Sequence, residues 1–261
     1  MPFIYCMLVL MFSSCSHTSN PLPKIHVTKN DFGNANPYAR VAAIPVPAGF
    51  YRIRTDSGSF AGWLRQLPLK KSKTVCLFNG HPKANQTAQF AVIDISTGNK
   101  DLQQCADAVM RLRAEYLYSK QQWNAIDFAD NNHTHYRLPA GANRSLFNQY
   151  LEKVFSYCGT ASLDKQLNPV ADFKEIEAGD VLIKAGAPGH AMQVLDIAIN
   201  KEGKKLYLLA QSYMPAQDMH VVVNPANSGY SPWYEADDQA KIATPEWTFI
   251  KPCLKKWPTD W

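Results

Sequence analysis

The sequence predicts an α+β fold in which a helical half packs on an antiparallel sheet. Two observations carry this reading. Helical periodicity dominates the middle of the chain, over 101–119 and again from Ser145, whereas β-branched and apolar runs dominate from Val181 onward. Helices therefore come first and strands afterwards, which is not the alternation of a doubly wound sheet. Composition agrees: of 261 residues, 46% are hydrophobic and 19% charged, enough apolar surface for a sizeable core.

The chain opens with an apolar run from Phe3 to Phe12, broken only by Tyr5 and Cys6. It is too short for a transmembrane helix, which needs roughly 20 apolar residues, and suits the hydrophobic region of a secretory signal. Phe12-Ser13-Ser14-Cys15 resembles the bacterial lipoprotein box, although no Lys or Arg precedes the apolar run. The expected organisation is a signal peptide over 1–14, lipidation at Cys15, a Ser-, Asn- and Pro-rich tether over 15–43, and a folded domain over 44–261. That predicts a lipid-anchored protein on the cell membrane or outer membrane, facing the periplasm or the surface, with the membrane met through Cys15. Lys and Arg number 27 against 22 Asp and Glu, and the excess is spread without a basic stripe. No nucleic-acid partner is expected from such a distribution.

Within the domain, Phe60, Trp63, Leu64 and Leu67 predict a short helix from Ser59 that stops at Pro68. Thr74–Asn79 and Phe90–Ser96 read as strands. Asp101 is placed to cap a helix to Ser119, with Leu102, Cys105, Ala106, Val109, Leu112, Tyr116 and Leu117 on one face. That stripe makes Cys105 a core residue. Ala125–Ala129 reads as a strand, and a helix from Ser145 carries Phe147, Tyr150, Leu151, Val154 and Phe155 inward. Gly159 suits a C-cap, and Thr160 begins a further short helix through Leu167. Val181–Ile183, His190–Ile199, Lys205–Gln211 and Met219–Val223 complete the sheet, with Asn200–Gly203 as a hairpin turn.

The chemistry-bearing stretch is Gly179-Asp180 leading into one apolar strand, then Gly189-His190 opening the next. A histidine at a rigid strand start with small neighbours can serve as a general base for a thiol or hydroxyl held near it. Gln211, ending the following strand, is placed to orient such an imidazole. Upstream, Cys158 in Tyr157-Cys158-Gly159-Thr160-Ala161-Ser162 is one candidate nucleophile and Ser162 another. Cys158 also extends an apolar helix face, so packing is an equal account of it. Asp180 is a candidate substrate-binding residue or a turn cap. Arg111 and Arg113 could clamp a carboxylate, although Glu115 four residues after Arg111 fits a helix ion pair. His133-Thr134-His135 lacks the H-E-x-x-H or C-x-x-C spacing of a zinc site, and no metal or cofactor is expected. No C-x-x-C occurs at Cys76, Cys105, Cys158 or Cys253 either, and Cys76 and Cys105 read as buried thiols. The aromatic tail, Tyr230 to Tyr234 with Trp247, Trp257 and Trp261, could line a glycan groove or fill a core.

The Gly-Asp strand followed by the Gly-His strand resembles the papain-like superfamily of NlpC-type and CHAP-type cell-wall hydrolases. The resemblance implies a nucleophile at the head of a helix facing His190; read against the papain pattern, Ala161 falls at that place. Four stretches, 101–116, Gly179-Asp180, Pro188-Gly189-His190 and 208–217, also resemble an uncharacterised family of bacterial lipoproteins, a domain of unknown function. That likeness implies a shared role for Gln103, Gln104, Asp107, Arg111, Arg113, His190, Gln211, Ser212 and Gln217. The expected function is a papain-like amidase or peptidase acting on peptidoglycan peptides. The alternative is an inactive relative that binds envelope glycan or a protein partner.

Overall fold

The computed structural model describes residues 35–258. The expected signal peptide, Cys15 and most of the expected tether lie outside the described residues. Residues 36–43, assigned to the tether from composition, are instead part of the folded unit. Val41 is fully buried, Asn36 donates to the Lys70 carbonyl at 2.9 Å, and Arg40 bridges to Pro68. A single buried Val and one Asn turn are local signals too weak to outweigh a Pro- and Asn-rich composition.

The first strand, β1 (Tyr51–Arg52), precedes α1 (Phe60–Arg65), which Ser59 caps by accepting from the Gly62 N–H. Thr74–Asn79 makes only isolated bridges, because the Gln86 side chain bonds both backbone groups of Val75 in place of a neighbouring strand. Strand β2 (Gln89–Val92) follows, and then α2 (Cys105–Ser119), four residues later than the expected cap at Asp101. The small hairpin β3 (Asp127–Ala129) and β4 (His135–Arg137) leads to α3 (Arg144–Tyr157), capped by Asn143, and α4 (Thr160–Gln166). The remaining strands are β5 (Asn168–Pro169), β6 (Val181–Lys184), β7 (His190–Ile199), β8 (Lys205–Gln211), β9 (His220–Val222), β10 (Trp233–Glu235), β11 (Lys241–Ala243), β12 (Thr248–Ile250) and β13 (Leu254–Lys256).

The expected α+β class is what folds. A nine-stranded antiparallel sheet runs β2-β9-β8-β7-β6-β13-β5, with β1 also on β7 and β10 also on β8. Strand β7 is buried along most of its length because both its faces are covered. Ala191, Leu195 and Ala198 join the core shared with α1, α2 and α3, whereas Met192, Val194 and Ile197 pack with Tyr207 and Phe249 on the other face. Mid-strand, Asp196 is fully buried and held by Arg52 at 2.6 Å and Arg65 at 2.5 Å, which pins β1 and α1 to the sheet. Of the aromatic tail, Trp233, Tyr234 and Trp257 are buried core residues, which removes them from any groove. Among the described residues no helix is long and apolar enough to cross a membrane.

Candidate active site

A cavity of about 460 Å³ opens where the heads of α2 and α4 meet the start of β7. Its wall includes Cys105, Asp107, Cys158, Thr160, His190, Tyr213 and Trp247. Gly189 makes the close approach possible: a Cβ there would lie 2.3 Å from the Gly186 carbonyl oxygen and 2.5 Å from Thr160 Oγ1. The Pro-Gly-His turn can therefore fold against the head of α4 only with glycine at 189.

Cys105 is the first residue of α2, and its thiol lies against the backbone N–H groups of Ala106 and Ala191, the latter adjacent to His190. Burial raises the thiol above its ordinary pKa while these N–H groups pull it down. The unpaired N–H groups of the first helical turn give this end a partial positive charge that favours a thiolate. Three contacts hold the preceding segment in place. Asp101 accepts from the Ala216 N–H at 2.6 Å, Ser212 Oγ lies 3.0 Å from the Gln103 carbonyl, and Arg111 donates to Gln103 Oε1 at 2.7 Å. Asp107 Oδ2 accepts from the Gln104 N–H at 2.9 Å and so closes the helix head.

His190 is almost wholly buried, and its Nε2 lies 3.0 Å from Gln211 Oε1. Tyr213, Trp247 and Phe249 surround the ring at centroid distances of 4.9, 5.3 and 5.8 Å. Burial lowers the imidazole to about 4, so it is neutral at pH 7. Behind it, Gln211 Nε2 donates to Glu246 Oε2 at 2.8 Å and lies 3.3 Å from His220 Nε2. Lys83 Nζ reaches the same Glu246 oxygen at 2.5 Å.

The two candidate nucleophiles read from the sequence sit differently. Cys158 does line the cavity, but as the residue that ends α3, and no backbone N–H opposes the rise of its thiol. Burial first, then the Asp107 and Asp130 carboxylates, push its thiol up to about 12. Ser162 is buried and occupied at the start of α4, accepting from the Gly159 N–H at 3.0 Å. All four cysteines of the domain are free thiols.

A family model described as Domain of unknown function (4846) matches residues 41–140 and 129–256. The chain belongs to this family. No curated protein and no solved structure shows significant similarity to it.

The other residues singled out in this 4846 domain divide between the cavity and its supports. Arg111 spends its guanidinium on the Ser96 carbonyl, Gln103 and Glu115, the helix ion pair that the sequence allowed. Arg113 is buried and stacked over Phe60, Tyr116 and Trp257, away from the cavity. Asp180 is also remote: it accepts from the Glu177 N–H at 2.9 Å, and burial pushes it up to about 7. Gly179 before it has a φ of +106°, with Phe60 only 3.2 Å from a notional Cβ. Ser212 also lies 2.8 Å from the Gln217 carbonyl and so braces the loop after β8; neither residue is in the cavity wall. His135 pairs through Nδ1 with Asp127 at 2.9 Å, and among the described residues no group of three or more metal-ligating side chains occurs.

Sequence reasoning missed Cys105, Lys83, His220 and Glu246. No local signal marked Cys105 as a helix head, because Asp101 is a better cap by residue type than Gln104. The other three had none either, because each is brought to Gln211 only by the fold.

Proposed function

We propose that this protein is a lipid-anchored cell-envelope thiol hydrolase with a papain-like site, cleaving amide bonds in peptidoglycan peptides. The observation that carries the reading is the thiol of Cys105 at the head of α2, against the backbone of Ala191 and in one cavity wall with His190. The order of parts supports it too: helix-head thiol, then the strand-start histidine, then an amide on the next strand. Cys105, and not Cys158 or Ser162, is the nucleophile in this mechanism.

In the resting site both partners are neutral, and among the described residues no hydrogen bond joins them. Substrate completes the alignment. Cys105 Sγ attacks the carbonyl carbon and its proton passes to His190 Nδ1. The first-turn N–H groups of α2 stabilise the charge on the carbonyl oxygen. The C–N bond breaks as His190 returns the proton to the leaving amine. Water, deprotonated by His190, then attacks the thioester, and the carboxylic acid leaves with Cys105 restored.

The test is site-resolved iodoacetamide labelling of the full chain at pH 7, followed by digestion of purified peptidoglycan peptides. Cys105 is expected to label faster than Cys76, Cys158 and Cys253, and new free amines should be released in a Cys105-dependent manner. Labelling of Cys105 only after denaturation overturns the reading. Tight binding of glycan or peptide without release of amines would instead favour the inactive binder, for which Tyr213 and Trp247 supply a stacking wall.

A further inference from the structure

Resting on the reading of Cys105 and His190 as a catalytic pair, one cluster behind the imidazole has a direction that can be worked out atom by atom. It begins at a backbone carbonyl. His220 Nδ1 lies 2.9 Å from the Asp218 oxygen, which can only accept, so Nδ1 carries the proton. His220 is fully buried, and burial lowers it to about 4, so it is neutral and its Nε2 is a bare acceptor. Glu246 Oε2 faces Lys83 Nζ at 2.5 Å and is likewise an acceptor. Asn85 Nδ2, 3.2 Å from Glu246 Oε1, holds the other oxygen of that carboxylate.

Both acceptors converge on one end of Gln211, which must therefore be its amide NH2. The carbonyl end is left for His190, 3.0 Å away, and a carbonyl requires that His190 Nε2 carry the hydrogen. Nδ1, which has no hydrogen-bond partner among the described residues, is then the bare nitrogen. The charged and titratable groups around the ring are Glu246, Lys83 and His220 beyond Gln211, Tyr213 across its face, and Asp101, Cys105, Asp107 and Cys158 in the shared cavity.

We infer that Glu246, held by Lys83, and His220 are positioning residues: they orient the Gln211 amide and so hold His190 in the Nε2–H tautomer, with Nδ1 free to take the proton of Cys105. A tautomer so held needs no rearrangement before proton transfer. Glu246 comes from the turn between β11 and β12, so a hairpin far along the chain sets the basic nitrogen of a residue on β7.

The experiment is long-range ¹H–¹⁵N correlation on the full chain labelled at histidine, with Cys105 alkylation measured beside it. In the native protein His190 should be a single tautomer, protonated at Nε2. In Glu246→Ala combined with His220→Phe, neither acceptor remains; water in place of the carboxylate both donates and accepts, so nothing selects an amide orientation. A second tautomer of His190 is expected there, with Cys105 alkylation slowed about tenfold. Glu246→Gln with His220 intact, which keeps both acceptors, should retain the single tautomer. A cooperative thermal melt verifies that the double variant is folded. A folded double variant whose His190 stays purely Nε2–H overturns the inference, and so does a native His190 protonated at Nδ1. Cys105→Ala should leave the tautomer untouched. Loss of Cys105 reactivity in the native protein therefore sinks the hydrolase reading alone, whereas an unmoved tautomer sinks the positioning role alone.

Discussion

Cys105 and Cys158 look into the same cavity from opposite ends of their helices. Cys105 begins α2 and meets N–H groups; Cys158 ends α3 and meets none, and the Asp107 carboxyl raises both thiols. Burial raises both thiols, but only at Cys105 do backbone donors oppose it. The lesson is that lining a cavity does not make a thiol reactive. The backbone donors that meet the thiol decide which one ionises more readily.

Breaking this contrast begins with the largest effect. Cys105→Ala should abolish amine release, a fall of about a thousandfold or more, as expected for loss of the attacking thiol. His190→Ala should slow alkylation of Cys105 about a hundredfold, as expected for loss of a general base, and leave Cys158 labelling unchanged. Both are read by mass spectrometry of site-resolved peptides. Gly189→Ala should destabilise the fold by about 1–3 kcal/mol in urea melts, because its Cβ would press on the Gly186 backbone and Thr160.

The electrostatic half of the contrast is sharpened by Asp107→Asn. Removing the carboxyl should lower the thiol pKa of both Cys158 and Cys105, since the Asp107 charge raises each. It also changes stability with pH. Burial pushes Asp107 up to about 8 from 3.8, so between these values the folded state holds a proton that the unfolded state has released. Stability is therefore lost as pH rises from about 4 to about 8, and the Asn variant should lack that loss. His190 and His220 act with the opposite sign. Each is lowered from 6.5 to about 4, so the unfolded state binds more protons in that window and stability falls as pH drops through it. Melting temperature against pH for the two proteins separates the contributions. The smallest effect is expected for Cys158→Ala, with amine release within about threefold of native.

Much of the architecture was legible in residue patterns. The apolar runs over 181–199 and 205–211 and the stripe over 106–117 are long enough for periodicity to decide. His190 and Gln211 were legible because each ends or begins such a run. Cys105 was not. Its side chain shares the spacing of Ala106, Val109 and Leu112, and Asp101 is as good a cap by residue type as any. The choice between them is made by the Ala216 N–H, which bonds Asp101 from 115 residues away. Freed from capping, Asp101 lets α2 begin three residues later and puts Cys105 at its head. A shift of one helical turn converts a core thiol into a cavity thiol.

By itself the sequence determined the class of fold, the strand that carries His190 and the neighbour that holds its ring, because hydrophobic periodicity is a local property written in every few residues. Only the tertiary structure decided which thiol the imidazole meets and which way the Gln211 amide points. Those outcomes rest on single hydrogen bonds between residues far apart in the chain, and a local pattern holds no record of them.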